Sequence, residues 1–137
     1  DEIIREAFKK ELHIIPYDES GTVALVAGRA AYEKGGDWMD ELKSYLLENV
    51  RYVRGFLQEY LPKVKLIEPE GTYLIWLDFR EYGLSAEDLQ NKMLYEAKLW
   101  LDEGTMFGEE GTGFMRINIA CPKVTLARAM EQMRKAF

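Results

Sequence analysis

The chain contains 137 residues, of which 47% are hydrophobic, and its 24 acidic and 18 basic residues give a formal charge of −6. This length and composition suit one domain with its own core, whereas the negative charge argues against nucleic acid or an anionic membrane as a partner. No apolar stretch approaches the roughly 20 residues of a membrane span. A single cysteine and an opening Asp-Glu pair that is not typical of a secretory signal favour a reducing, cytoplasmic setting.

The first third of the chain is predicted to be helical. Apolar residues recur at helical spacing from residue 2 to residue 12, which predicts an amphipathic helix. Pro16 and a polar cluster then predict a loop from His13 to Gly21. Residues 22 to 32 are small and apolar almost all round, so we expect a helix that is buried on most sides.

A longer helix should follow. Gly35 and Gly36 end the preceding helix, and Asp37 is the predicted N-cap of a helix that runs to about Tyr60. Its core-facing stripe is predicted to consist of Leu42, Tyr45, Leu46, Val50, Val53, Phe56, Leu57 and Tyr60. We therefore describe the chain as one domain, with a helical segment over residues 1–36 and a core over residues 37–137.

The second half alternates strands and helices. A hairpin is predicted from the strand around Val64 and Leu66 to the strand over 73–79, with Gly71 supplying a positive φ in the turn. Ser85 is the predicted N-cap of the next helix, with Asp88 as the acidic partner in a capping box.

Two strands and a last helix complete the prediction. The strands are expected around residues 99–101 and over 114–120, and the helix from about Lys123, with a stripe of Leu126, Met130, Met133 and Phe137. This order favours an α/β chain with an α+β arrangement, in which helices cover one face of a small, mostly antiparallel sheet.

Few residues suggest a chemical site. His13 has no second ligand or triad partner at a useful spacing, and Cys121 lacks a cationic neighbour that would activate it. The glycines of GTMFGEEGTG precede a strand rather than a helix, so the segment is expected to be a tight connection with positive φ angles and not a phosphate loop. Asp78 and Asp102 are expected to be solvated charges. We assign no catalytic, cofactor-binding or metal-binding residue.

Arg116 lies in the middle of a strand whose apolar face carries Met115, Ile117 and Ile119. An arginine in this position either pairs with an internal carboxylate or projects into a cleft, where its planar fork binds a carboxylate. The residues alone leave these alternatives equal.

Two segments carry a resemblance to a known family. EGTYLIWLDF at 70–79 and WLDEGTMFGEEGTGFMRINIACP at 100–122 resemble the C-terminal small domain of fold-type I pyridoxal-phosphate (PLP) enzymes of the aminotransferase class I/II superfamily. The closest subgroup is the C–S lyases of the cystathionine β-lyase (MalY/PatB) type. The resemblance covers most of the chain from Ala31 to Phe137, and residues 17–32 depart from the family pattern.

The resemblance implies a substrate-binding role for Arg116, because the arginine of the matching Gly-Phe-Met-Arg-Ile-Asn strand holds the α-carboxylate of the amino-acid substrate. The strand should turn Phe114, Arg116 and Asn118 away from the helices, leaving the guanidinium accessible and without an obligatory internal carboxylate.

The resemblance also implies what acts with this chain. The Schiff-base lysine and most PLP ligands of the family belong to a large domain that precedes this segment, so the chain alone is expected to bind no PLP and to be non-catalytic. Its partners would be that large PLP domain, a second subunit in a homodimer, and a sulfur-containing amino-acid substrate. The parent enzyme would be a C–S β-lyase of cystathionine or cysteine-like substrates. The alternatives are the same domain of a PLP-dependent aminotransferase and a stand-alone α+β interaction module.

Overall fold

The computed structural model describes residues 1–14 and 21–137. The chain divides into two compact units, Asp1–Glu41 and Leu42–Phe137. In the part of the chain that is described, no helix has the length and apolar character needed to cross a membrane. The order of elements is the predicted one, three helices, two strands, a helix, two strands and a helix.

The first unit contains helices α1 (Glu2–Ile14) and α2 (Thr22–Lys34) and the beginning of α3 (Gly36–Tyr60). The predicted end of α1 at residue 12 is wrong by two residues, because Pro16 constrains only the residue directly before it and nothing ends the helix earlier. Most of the loop predicted over 13–21 lies outside the described residues.

Helix α2 has no buried residue, contrary to the expectation of burial on most sides. Val23 is 82% exposed and Val26 is 65% exposed. The helix is apolar, as the sequence predicts, but none of its 13 residues is buried by the rest of this unit.

The N-cap predicted at Asp37 is also wrong. Gly35 closes α2 by donating its N–H to the carbonyl of Ala31, and its own carbonyl accepts the N–H of Met39 at 2.9 Å. Helix α3 therefore begins at Gly36, and Asp37 lies in its first turn, where a carboxylate still favours the positive end of the helix.

The second unit is built on a four-stranded antiparallel sheet with the order β1-β2-β4-β3. The strands are β1 (Lys65–Ile67), β2 (Leu74–Asp78), β3 (Asp102–Glu103) and β4 (Phe114–Asn118). The strand expected around 99–101 is therefore shifted to Asp102. The N–H of Leu99 bonds to the carbonyl of Met93, which takes this segment out of the sheet.

Helices α4 (Ala86–Asn91) and α5 (Lys123–Ala136) complete the second unit, and α4 continues into a π-helical turn over Lys92–Glu96. The predicted cap of α4 is confirmed, because the Ser85 hydroxyl accepts the N–H of Asp88 at 3.0 Å and donates to its carboxylate. Helix α5 begins at the predicted residue.

One apolar core joins the sheet to α3, α4 and α5. Its buried members are Val50, Val53, Phe56, Leu57, Leu61, Val64, Ile75, Leu77, Phe79, Leu89, Met93, Ala97, Met115, Ile117, Ile119, Leu126, Met130 and Met133. They include four of the eight residues predicted for the α3 stripe and three of the four predicted for α5. Tyr45 and Tyr60, also predicted to face the core, are exposed. The α/β fold with helices on one sheet face is thus confirmed.

Asn49 is a buried polar residue within this core. Its amide nitrogen donates to the carbonyls of Ile119 at 2.9 Å and Cys121 at 3.3 Å. The contact links α3 to the segment that follows β4. A buried amide of this kind contributes to the stability of the fold through hydrogen bonds that an apolar residue could not make.

The turn between β1 and β2 differs from the prediction in one residue. Thr72, not Gly71, takes the positive φ, at 64°. A β-branched residue in this region is strained, and the sequence favoured glycine because glycine alone adopts it without cost.

Glycines shape the connection from β3 to β4 in two ways. Gly108 and Gly113 have positive φ, as predicted for this segment. Gly104 and Gly111 are instead required by close backbone contact, since a Cβ on Gly104 would lie 1.9 Å from the carbonyl oxygen of Gly111 and the reverse contact would be 2.0 Å.

Candidate carboxylate-binding site

Arg116 lies in the centre of the sheet, on the face opposite the core. Its neighbours on the adjacent strands are Trp76 of β2 and Asp102 of β3, each directly opposed to it in register. Met115 and Ile117, on either side of it in β4, are buried in the core. Strict alternation therefore places Arg116 on the outer face, the sheet face that carries Trp76, Arg116 and Asp102.

The guanidinium pairs with Asp102. Nη2 of Arg116 lies 2.7 Å from Oδ2 of Asp102, and Nε lies 3.1 Å from the same oxygen. The Arg116 side chain is 26% exposed and that of Asp102 is 41% exposed. An internal carboxylate thus pairs with Arg116, although none was expected to be obligatory. Asp102, which was expected to be a solvated charge, is paired and partly exposed.

The pair leaves part of the guanidinium available. Both hydrogen bonds end on one oxygen of Asp102 and use the Nε–Nη2 edge of Arg116. Within the described residues no acceptor contacts Nη1. An incoming carboxylate can thus bind to the Nη1–Nη2 edge in the two-pronged geometry that arginine favours.

The ring of Phe107 packs against one face of the guanidinium. Its Cζ lies 4.4 Å from the ring centroid of Phe107, which comes from the glycine-rich connection. The Phe107 ring packs edge-on against Trp76 with centroids 5.2 Å apart. Stacking on an aromatic face favours the cation and limits its rotation, so Arg116 is oriented by Asp102 on one edge and by Phe107 on one face.

A second ion pair lies at the end of β2. Asp78 is buried and accepts hydrogen bonds from Nε, Nη2 and the backbone N–H of Arg80 at 3.0, 2.8 and 2.9 Å. The Arg80 guanidinium holds the pKa of the Asp78 carboxyl below its usual range. The expectation of a solvated Asp78 is wrong, because the adjacent turn brings Arg80 back onto it.

Neither Cys121 nor His13 belongs to a recognisable site. Burial raises the pKa of the Cys121 thiol, which is the opposite of what a reactive thiolate needs. His13 lies in helix α1 of the first unit, away in sequence from Arg116. Across residues 1–14 and 21–137, no group of three or more His, Cys, Asp or Glu side chains is arranged to hold a metal ion.

Sequence reasoning found Arg116 but missed the residues that orient it. Asp102 and Phe107 lie 14 and 9 positions before Arg116, and neither distance is a recognisable local spacing. Only the pairing register of β3 with β4 brings Asp102 opposite Arg116. The one available signal for the partner of Arg116 was that Asp102 is a charged residue close to a predicted neighbouring strand.

The chain matches known proteins along nearly its whole length. A family model for aminotransferase class I and II matches residues 1–133. The chain belongs to this family. Cystathionine β-lyase PatB of Bacillus subtilis (strain 168) is 41% identical over 137 residues, and protein MalY of Escherichia coli (strain K12) is 35% identical over 115 residues. The resemblance inferred from the sequence is confirmed.

Solved structures of similar proteins match the fold of this chain. A PLP-bound protein from Clostridium difficile 630 matches with a TM-score of 0.93 and 34% identity over 99% of this chain. Cystalysin of Treponema denticola, which contains PLP, matches with a TM-score of 0.81 over 84% of the chain. This chain covers 35% of PatB, 30% of MalY and 35% of the Clostridium structure, so it spans about a third of their length.

Proposed function

We propose that this chain is the substrate-carboxylate-binding domain of a PLP-dependent C–S β-lyase that acts on cystathionine or cysteine-like amino acids. The observation that carries the proposal is the Nη1–Nη2 edge of Arg116, which Asp102 leaves available on the outer sheet face in a chain of this family. Arg116 would bind the α-carboxylate through two parallel, charge-assisted hydrogen bonds.

The residues of this chain indicate which part of the reaction it would serve. PLP, when bound to the parent enzyme, would supply the electron sink for loss of the α-proton and of the sulfur substituent on the β-carbon. All ten lysines of this chain are exposed or partly exposed, and none lies in the enclosed, buried setting that suits a Schiff-base lysine. The residues here therefore suit substrate binding and not attachment of the cofactor. This chain would orient the substrate by its carboxylate.

The partners of the domain follow from the same proposal. A large PLP-binding domain would supply the lysine and the phosphate ligands, and the parent would be a cytoplasmic homodimer. The 35% coverage of PatB leaves room for such a domain in a protein of the same length. Sequence upstream of Asp1 that encodes a PLP-binding domain would support this arrangement.

An aminotransferase is the second candidate. Aspartate aminotransferase of Pyrococcus horikoshii is 28% identical over 138 residues and matches 99% of this chain. Binding of the α-carboxylate by Arg116 would serve β-elimination and amino transfer equally, because both reactions begin with an amino acid held by its α-carboxylate. The higher identity to PatB and MalY favours the lyase.

The two candidates differ in their products. The complete PLP-loaded protein should release a thiol, ammonia and pyruvate from L-cystathionine, and should transfer little amino group to an added 2-oxo acid. Thiol is measured with a disulfide reagent and pyruvate with a coupled dehydrogenase. Efficient amino transfer without thiol release would show that the parent is an aminotransferase.

A further inference from the structure

A row of aromatic rings crosses the outer face between two arginines. The Cζ atom of Arg116 lies 4.4 Å from the ring centroid of Phe107. The Cζ atom of Arg80 lies 4.6 Å from the ring centroid of Phe114. The ring of Trp76 packs edge-on against both rings, with centroid distances of 5.2 Å to Phe107 and 6.3 Å to Phe114. The outer face thus presents a cation, an apolar strip and a second cation in continuous contact.

Arg80 is held by a carboxylate in the same manner as Arg116. Its Nε and Nη2 donate to the two oxygens of Asp78 at 3.0 and 2.8 Å, and in the described chain no acceptor contacts its Nη1. The Arg80 side chain is 63% exposed, whereas that of Asp78 is 8% exposed. A ligand therefore meets the guanidinium and not its counter-ion, and the Nη1–Nη2 edge of Arg80 is available to a carboxylate.

The sheet sets the spacing of the two cations. Phe114 and Arg116 lie two residues apart in β4 and on the same face, about 7 Å along the strand. Asp78, which holds Arg80, is directly opposed to Phe114 in the register of β2 with β4. The two guanidinium groups therefore occupy neighbouring positions on one face and not opposite ends of the molecule.

We propose that Arg80 is a second carboxylate-binding residue, which takes the distal carboxylate of a thioether amino acid while Arg116 holds the α-carboxylate. This inference rests on the proposed function of Arg116. The ligand class is an amino acid with a thioether in its side chain and a further carboxylate at the far end. L-Cystathionine belongs to this class.

Such a ligand matches the order of groups on the outer face. Each of its carboxylates can accept two parallel hydrogen bonds from a planar guanidinium. The carbon–sulfur chain between the carboxylates is apolar, and a thioether sulfur is stabilised by contact with aromatic rings, which are present here as Phe107, Trp76 and Phe114. The ligand therefore lies along the row of rings, with one carboxylate at each end.

A matched pair of substrates isolates the distal carboxylate. S-(3-Carboxypropyl)-L-cysteine is L-cystathionine without its distal amino group, and its primary amide, S-(3-carbamoylpropyl)-L-cysteine, has nearly the same shape without the charge. Each is given to the complete PLP-loaded protein, and kcat/KM for thiol release is measured. Wild type should prefer the carboxylate about tenfold, near the lower end of what a hydrogen bond to a charged group contributes. In Arg80→Gln the ratio of the two values should fall close to one.

Arg54→Gln is the control, because Arg54 donates through the same two nitrogens to both oxygens of Glu68 but lies on α3. It should keep the wild-type ratio. Arg80→Gln leaves the buried Asp78 without its partner and can fold poorly for that reason. The double variant Asp78→Asn with Arg80→Gln removes both charges, and it should lose the preference in the same way.

The outcomes separate this inference from the proposed function. A wild-type ratio near one, a preference retained in both Arg80 variants, or a preference lost equally in Arg54→Gln would overturn the role of Arg80. Arg116→Met tests the α-carboxylate ligand by itself. A similar loss of kcat/KM for both substrates in that variant supports the proposed function, whereas unchanged values refute it whatever the ratio.

Discussion

Arg116 donates two hydrogen bonds, from Nε at 3.1 Å and from Nη2 at 2.7 Å, to one oxygen of Asp102, the residue directly opposite it on the neighbouring strand. The first of the two alternatives that the sequence left open, pairing with an internal carboxylate, is thus realised. Within the described residues no acceptor contacts Nη1, so the second alternative, binding of a ligand carboxylate, stays a prediction. The pair orients the guanidinium without consuming its binding capacity.

The pair should contribute modestly to stability. Because both side chains are partly exposed, at 26% and 41%, the coupling energy between Arg116→Met and Asp102→Asn should be about 0.2 to 1 kcal/mol. A fully buried pair would cost about 3 to 5 kcal/mol when one partner is removed. Urea unfolding of the two single variants and the double variant measures the coupling. A value of 3 kcal/mol or more would mean that Arg116 has a primarily structural role.

Gly104 should tolerate no side chain. Its hypothetical Cβ meets the carbonyl oxygen of Gly111 at 1.9 Å, and a backbone atom cannot rotate away. Gly104→Ala should therefore lower the free energy of unfolding by about 3 kcal/mol, at the upper end of overpacking effects. Gly71→Ala is the control, since nothing lies within 4 Å of its Cβ position, and it should be close to neutral. Equal urea midpoints for both variants would contradict the close contact.

Asp78 should make the fold sensitive to acid. Arg80 lowers the carboxyl pKa of Asp78 below its usual range in the folded chain, so the stabilisation is present above the unfolded pKa and is lost as the pH falls through the folded value. The difference in urea midpoint between wild type and Asp78→Asn should be largest near neutral pH and should shrink as acid protonates the carboxylate. A difference that stays constant from pH 7 to pH 2 would exclude this ionisation as the cause.

Local patterns were sufficient to predict much of the fold. The period of 2 in β4 placed Arg116 opposite the core, and the Ser85-x-x-Asp88 spacing located the start of α4. These features depend on residues that are close in sequence. The same holds for the apolar stripe of α5, whose period of 3.6 requires no knowledge of its partners.

Long-range contacts could not be predicted in this way. Asp102 reaches Arg116 only through the pairing of β3 with β4, and Asn49 bonds to carbonyls 70 and 72 residues away. Propensity also failed at Thr72, which takes the positive φ that glycine favours.

Helix α2 should promote self-association of the 137-residue chain. Val23, Val26, Ala27 and Ala30 line one apolar surface with helical spacing, and exposed apolar patches favour association. Sedimentation at rising concentration should show dimers or larger species, and Val23→Glu with Val26→Glu should reduce them. Lys34→Gln, at the polar end of the helix, is the control. A strictly monomeric wild type would contradict this expectation.

The central claim is that Arg116 binds the substrate carboxylate, and kcat/KM of the complete PLP-loaded protein for L-cystathionine tests it most directly. Arg116→Ala should lower kcat/KM by about a hundredfold or more, the size expected for losing a two-pronged, charge-assisted contact. Arg116→Lys should recover little, because an ammonium cannot reproduce the planar fork. Urea melts of the same variants show that the fold is retained. An Arg116→Ala protein whose kcat/KM stays within about threefold of wild type would contradict the account.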